Sequence, residues 1–188
     1  MINQGIPPEV VIKSLSDRQL VELARSGNRE AFAEIYTRHK DGVYNYCLRF
    51  MKDPDSAKDV LHETFLRLHS GLDGMRNGMV LRVWLVSIAR NCALNSIRKS
   101  KLMETLDDEP LSDDDSPFEN VVRDEQSRTV KLLIESLKPA LREVLVLREY
   151  EELSYREIAM VTGLSEENVK IRIYRARKAI AGELKKRF

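Results

Sequence analysis

Scarcity sets the first limits on this 188-residue chain. It has only two cysteines, Cys47 and Cys92, without CxxC spacing or a nearby histidine pair. Neither a disulfide framework nor a metal site is expected from them, and both thiols are read as small apolar packing groups. Three histidines are present. His62 and Glu63 lack the HExxH spacing of a zinc helix, and His39 and His69 stand isolated, as structural or solvated residues do. No apolar stretch approaches the ~20 residues that cross a bilayer, and residues 1–16 lack the layout of a secretory signal, so a soluble cytoplasmic protein is expected. A phosphate-binding glycine motif, a nucleophile elbow and a metal-ligand cluster are all missing, which leaves nothing to support an enzyme, a cofactor or a small-molecule substrate. No stretch alternates like a strand between turn signals, and no repeat is apparent.

What the chain does have is charge, at 32% of residues beside 43% hydrophobic, enough for a core under a heavily charged surface. The net charge of +1 hides an asymmetry. Residues 17–101 hold 15 basic and 10 acidic side chains, residues 102–136 hold 3 and 11, and residues 137–188 hold 12 and 8. Two basic ends flank an acidic middle, which suggests a polyanion partner, though charge alone is weak support.

Nearly every segment reads as helix. Ser16 and Gln19 form a capping box, and Gly27 closes the short helix that follows. Asn28 caps a longer run bearing Phe32, Ile35, Tyr36, His39, Val43, Cys47 and Phe50 at mostly three- and four-residue spacing. Pro54 suits the first turn of a third helix ending near Gly71. A glycine-bearing loop (Gly71, Gly74, Gly78) leads to a fourth helix over about residues 80–100. Residues 104–120, with six aspartates and glutamates between Asp107 and Asp115 and breakers at Pro110 and Pro117, bury too little apolar surface to offset ordering entropy. They read as a flexible acidic linker. The expected organisation is all-α: an N-terminal extension (1–16), a helical domain (17–101), the acidic linker (102–125) and a second helical domain (126–188).

The second domain carries the clearest motif. Ser154 and Glu157 form a capping box, with Ile158, Ala159 and Val161 as the packing side of the helix. Thr162, Gly163 and Leu164 make a tight turn in which glycine is free to take a positive φ. Ser165 caps the next helix, and Glu166 and Glu167 suit its positive end. This is a helix-turn-helix, whose second helix enters the major groove. At 100° per residue Val169, Ile173, Ala176 and Ile180 fall within about 60° and form the buried stripe. Glu167, Lys170, Ile171, Tyr174, Arg175 and Lys178 face away, and Arg172 and Arg177 flank the stripe within reach of phosphates. A solvated helix would account for the cations. It does not account for Ile171 and Tyr174 outward between them, where an apolar group can meet a thymine methyl and Arg175 a guanine edge.

Two surfaces of the first domain stand out. The third helix buries Val60, Leu61, Thr64, Phe65 and Leu68, leaving Asp59, His62, Glu63 and Leu66 on its other face. An exposed leucine among acids is either a partner-contact patch or an ordinary solvated face with one stray apolar residue. The fourth helix is apolar nearly all round except for a seam of Trp84, Asn91, Asn95 and Arg98, within about 60° of one another. Asparagine is disfavoured inside helices. Two of them in register with a tryptophan and an arginine fit either a surface for unpaired bases or the internal capping of a neighbouring helix.

Three strings make the chain resemble the extracytoplasmic-function sigma factors of bacterial RNA polymerase: DVLHETFLRL at residues 59–68, WLVSIARN at 84–91, and LSYREIA at 153–159 running on to RIYRARK at 172–178. The resemblance covers about residues 20–101, as the family's region 2, and 137–181, as its region 4. It implies that Asp59, His62, Glu63 and Leu66 dock on the clamp coiled coil of core polymerase. Trp84, Asn91, Asn95, Arg98 and Lys99 would take the minus-ten element, with Asn91 contacting a flipped base. Asn168, Lys170, Ile171, Arg172, Tyr174, Arg175 and Lys178 would read the minus-thirty-five element. Implied partners are core polymerase (clamp and flap), promoter DNA and an anti-sigma factor; no cofactor or metal is implied. The chain departs from the family at residues 75–83, at Ile171, where a small polar residue is common, and at His62, where glutamine is frequent. An ordinary helix-turn-helix regulator with a sensor domain is the competing reading.

Overall fold

The computed structural model describes residues 12–75, 80–104 and 125–187. The expected acidic linker, apart from its ends, the loop residues 76–79 and most of the N-terminal extension lie outside the described residues.

Several helices begin where a side chain closes their open amides. The first, α1 (Asp17–Arg25), starts at the Ser16–Gln19 capping box. Asn28 caps α2 (Arg29–Met51), accepting from the Ala31 amide at 2.9 Å. Asp53 caps α3 (Pro54–Gly71), accepting from the Ser56 amide at 2.8 Å, with proline in the first turn, where no amide partner is needed. Hydrogen bonds from the Ser56 hydroxyl and amide favour the ionised carboxylate and hold the Asp53 pKa below its ordinary value. A short 3-10 turn (Leu72–Gly74) leads towards α4 (Leu81–Glu104), which runs about one turn beyond the expected end near residue 100. Then come α5 (Glu125–Ser136), α6 (Pro139–Glu149), α7 (Tyr155–Thr162) and α8 (Glu166–Arg187).

Helices α1–α4 pack on one another through Leu20, Ile35, Tyr46, Leu68 and Leu85, all essentially inaccessible to water. Helices α5–α8 pack through Val144, Leu147, Leu153, Ile158 and Ile173, equally buried. Fully burying an aliphatic side chain of this size contributes roughly 1.5–3 kcal/mol. The expected core faces of α3 and α8 are the observed ones, with Val60, Leu61, Phe65 and Leu68 buried on the first and Val169, Ile173 and Ala176 on the second. Both cysteines are buried, and burial pushes the Cys47 thiol up to about 12. The isolated histidines are structural contacts: His39 Nε2 meets Asp17 Oδ2 at 2.9 Å, and His69 lies edge-on to Phe32. Arg38 fastens the end of the N-terminal extension to α2 by hydrogen bonds to the Lys13 and Leu15 carbonyls.

The two groups of helices share one continuous set of buried residues. Helix α4 packs on α7, and α2 on α6. This explains why α4 is apolar nearly all round: its Leu85, Val86 and Ala89 are buried where two sets of neighbours meet.

Candidate nucleic-acid interface

In the helix-turn-helix, local hydrogen bonds fix the entry of each helix. The Ser154 amide and hydroxyl both donate to Glu157 Oε2 at 2.7 Å, and the Glu157 amide donates back to Ser154 Oγ at 3.2 Å. These bonds favour the ionised carboxylate and lower the Glu157 pKa. Gly163 takes φ +72°, the left-handed value an L side chain rarely adopts, and turns the chain. The Asn168 amide donates to Ser165 Oγ at 3.2 Å and opens α8.

One side of α8 is sealed by Val169, Ile173 and Ala176. On the opposite side Asn168, Lys170, Arg175 and Lys178 are exposed, and Tyr174 and Ile171 stand out as large side chains at 65% and 40% exposure. Arg172 is half-buried. Arg177, expected to reach phosphates, is paired with Glu149 instead, Nη2 to Oε1 at 2.5 Å. Lys170 Nζ lies 5.9 Å from the Tyr155 ring, which Arg148 also overlies.

In the first domain, Asp59, His62 and Leu66 on α3 are exposed, and Leu66 reaches 67%. Glu63 is half-buried and bonded to Arg67 Nε at 2.6 Å. On α4, Asn91, Asn95, Arg98 and Lys99 are exposed, whereas Trp84 is half-buried. Its ring packs beside Gly71, where a Cβ would stand in ordinary van der Waals contact, 3.5 Å from Trp84 Cζ2. Trp84 therefore packs the end of α3 as well as opening the seam. Internal capping of a neighbouring helix does not occupy these asparagines, whose side chains are open to water. No group of three or more potential metal ligands occurs among the described residues.

Sequence reasoning missed a second cluster, where the two groups of helices meet. Arg90 Nε bonds Glu143 Oε1 at 2.6 Å, and Arg142 Nη2 donates to the Phe50 carbonyl at 3.3 Å. The Arg49 guanidinium stacks on Tyr150 at 3.9 Å. In the structure Arg142, Glu143, Val144, Leu145, Val146 and Leu147 are buried in succession, so this stretch of α6 is enclosed on all sides, and no periodicity of the sequence marks its two charges as buried.

Two family models match the chain, "Sigma-70 region 2" over residues 35–102 and "Sigma-70, region 4" over residues 127–180. The RNA polymerase sigma-H factor of Pseudomonas aeruginosa is 34% identical over 176 residues, 87% of this chain and 91% of that protein. The ECF RNA polymerase sigma factor SigW of Bacillus subtilis is 30% identical over 180 residues, 89% and 96% of the two chains. The chain belongs to the extracytoplasmic-function sigma-factor family. Among solved structures, CnrH in complex with the cytosolic domain of CnrY aligns with a TM-score of 0.68 at 29% identity, over 90% of this chain and 97% of that one. The two regions that define the family thus bracket α2–α4 and α5–α8, and the exposed faces described above lie within them.

The α7 cap has a measurable consequence. Ser154→Ala is expected to lower stability by about 1 kcal/mol at neutral pH in denaturant unfolding. A folded carboxyl pKa held below the unfolded value contributes stability that is present above the unfolded pKa, near 4.5, and lost as pH falls through the folded one. Part of the Ser154→Ala difference should therefore disappear on acidification below about pH 4.5. An equal difference at pH 7 and pH 3 would remove Glu157 from the cap.

Proposed function

We propose that this sigma factor docks on core RNA polymerase through Asp59, His62, Glu63 and Leu66 of α3 and grips promoter DNA at two points. Asn168, Lys170, Ile171, Arg172, Tyr174, Arg175 and Lys178 of α8 read the minus-thirty-five element in the major groove. Asn91, Asn95, Arg98 and Lys99 of α4, with the edge of Trp84, hold unpaired minus-ten bases. The observation that carries this reading is the division of α8: a sealed aliphatic stripe on one side, and an open face of lysine, arginine, isoleucine and tyrosine on the other. Structural need accounts for the first side and leaves the second for a ligand.

The chemistry required is binding rather than catalysis. Extruding a base from the stack costs a few kcal/mol, which a fitted site repays, so no nucleophile or metal is invoked. The protein acts in the cytosol beside polymerase; no helix among the described residues is long and apolar enough to cross a membrane. We assign an anti-sigma factor as its regulatory partner, in keeping with the family and with CnrH, which was solved bound to another protein's cytosolic domain.

Run-off transcription with purified core polymerase tests the reading. A promoter-dependent transcript should appear only when this protein is added. Its absence from every candidate promoter, with specific duplex binding intact, would favour a polymerase-independent regulator. Within the sigma reading, Asn91→Ala should impair promoter opening several-fold while leaving upstream-duplex affinity nearly unchanged. Arg175→Ala should cost about 1–3 kcal/mol of upstream-element binding, and Lys170→Ala should weaken that binding as well. Gel-shift and permanganate-footprinting assays separate the two effects; equal losses in both assays for Asn91→Ala would sink the flipped-base role.

A further inference from the structure

Away from the seam where the two groups of helices meet, one surface pairing runs against the needs of the helix that carries it. Glu149 is the last residue of α6, where the open carbonyls present the negative end of the helix dipole. A carboxylate is disfavoured there, whereas the neighbouring Arg148 has the favourable sign. By contrast, Glu157 in the first turn of α7, and Glu166 and Glu167 in that of α8, sit at positive ends. Packing does not account for Glu149 either, since its side chain is 44% exposed.

The partner of Glu149 lies on the recognition helix. Its Oε1 accepts from Nε and Nη2 of Arg177, at 3.1 and 2.5 Å. Arg177 comes seven residues after Lys170, which puts the two within about 20° of each other on α8 and about 10 Å apart along its axis. The exposed Tyr174 lies between them. This edge of α8 faces the first turn of α7. Lys170 Nζ lies 5.9 Å and the Arg148 guanidinium 5.1 Å from the centre of the Tyr155 ring, and Tyr155 is also close enough to act on Arg177. Three cations therefore gather about one phenol, and Glu149 is paired with one of them.

A carboxylate and a phosphate compete for the same donors. Arginine grips either with neighbouring N–H groups, so those given to Glu149 are the ones a phosphate beside Lys170 would take. The exchange is cheap. With Arg177 and Glu149 54% and 44% exposed, their pairing contributes little, and breaking it lowers affinity by at most about five-fold. The displaced carboxylate then stands near DNA with its charge unneutralised, which adds repulsion.

We propose that Glu149 is an internal stand-in for a DNA phosphate: it occupies Arg177 in the free protein, yields it to the backbone of the upstream element, and so holds down the affinity of α8 for duplex DNA. This rests on the major-groove reading of α8 given above and deepens it. Phosphate contacts carry no sequence information, so base choice stays with Lys170, Ile171, Tyr174 and Arg175. Glu149 weakens binding to matched and unrelated duplex by the same factor, which shortens the time spent on unrelated DNA.

The full-length chain is titrated with duplexes that carry or lack the upstream element, over a range of salt. Glu149→Gln should tighten binding to both about three- to five-fold, and steepen the fall of log K with log salt by about 0.9, the release for one phosphate neutralised. Arg177→Ala should weaken binding to both, and in that background Glu149→Gln should gain less than about two-fold. An equal gain with and without Arg177 would reduce the effect to simple removal of a negative charge. Weaker binding by Glu149→Gln would make Glu149 a buttress that orients Arg177. Either result overturns the proposal, as does a changed ratio between the two duplexes. Lys170→Ala and Arg175→Ala separate it from the reading beneath. If they weaken upstream-element binding while Glu149→Gln leaves affinity unaltered, only the stand-in falls; if they too change nothing, the recognition role of α8 falls with it.

Discussion

Helix α4 has to satisfy two sets of apolar neighbours and still keep a polar strip in water. A helix in an ordinary bundle buries one stripe and leaves the rest of its perimeter to solvent. Here Leu81, Leu85, Ala89, Cys92 and Ala93 are buried together with Val83 and Val86, which covers most of the circumference. The line through Asn91, Asn95 and Arg98, with Lys99 and Ser100 beyond it, is left open. The placement of the other elements follows from this demand. Helices α2 and α3 supply one wall through Ile35, Tyr46, Phe65 and Leu68, and α6 and α7 supply the other. The strip assigned to unpaired bases is what remains of α4 after both walls are built.

Much of this was legible in the sequence because it is local. A cap and its amide lie three residues apart, so Ser16, Asn28, Ser154 and Ser165 announce their helices without reference to anything distant. The stripes of α3 and α8 are legible for a similar reason: helical periodicity converts sequence spacing directly into a face. Exposure followed in turn, and Leu66, Ile171 and Tyr174 are open where the periodicity puts them.

The seam was not legible, and the cause is physical rather than statistical. Arg90 and Glu143 are separated by 53 residues, and Arg142 and the Phe50 carbonyl by 92. No periodicity relates partners that far apart, and each charge taken alone looks like one more member of a charged surface. Trp84 shows the same limit from the other direction. It lies in register with the asparagines, yet its depth comes from packing on the end of α3 at Gly71, a contact that no periodicity reveals. Arg177 likewise has the register of a phosphate contact but is held by Glu149, 28 residues earlier.

The two kinds of contact divide the work of the fold. Aliphatic burial within each group of helices is non-directional and tolerates no partial opening, because exposed core surface gains nothing from water. The seam adds directional contacts to that burial, since Leu85, Val86 and Ala89 are buried there beside its charges. Its ion pair, its arginine–tyrosine stack and its unpartnered Tyr46 and Arg142 atoms are polar groups set into that apolar contact, where losing water costs free energy that protein partners return only in part. Burial raises the Glu151 pKa despite Arg82 and Arg49, which shows that the seam's cations do not fully offset the cost of hiding that carboxylate. The two groups are thus joined by one continuous core that carries its unpartnered polar groups at the seam.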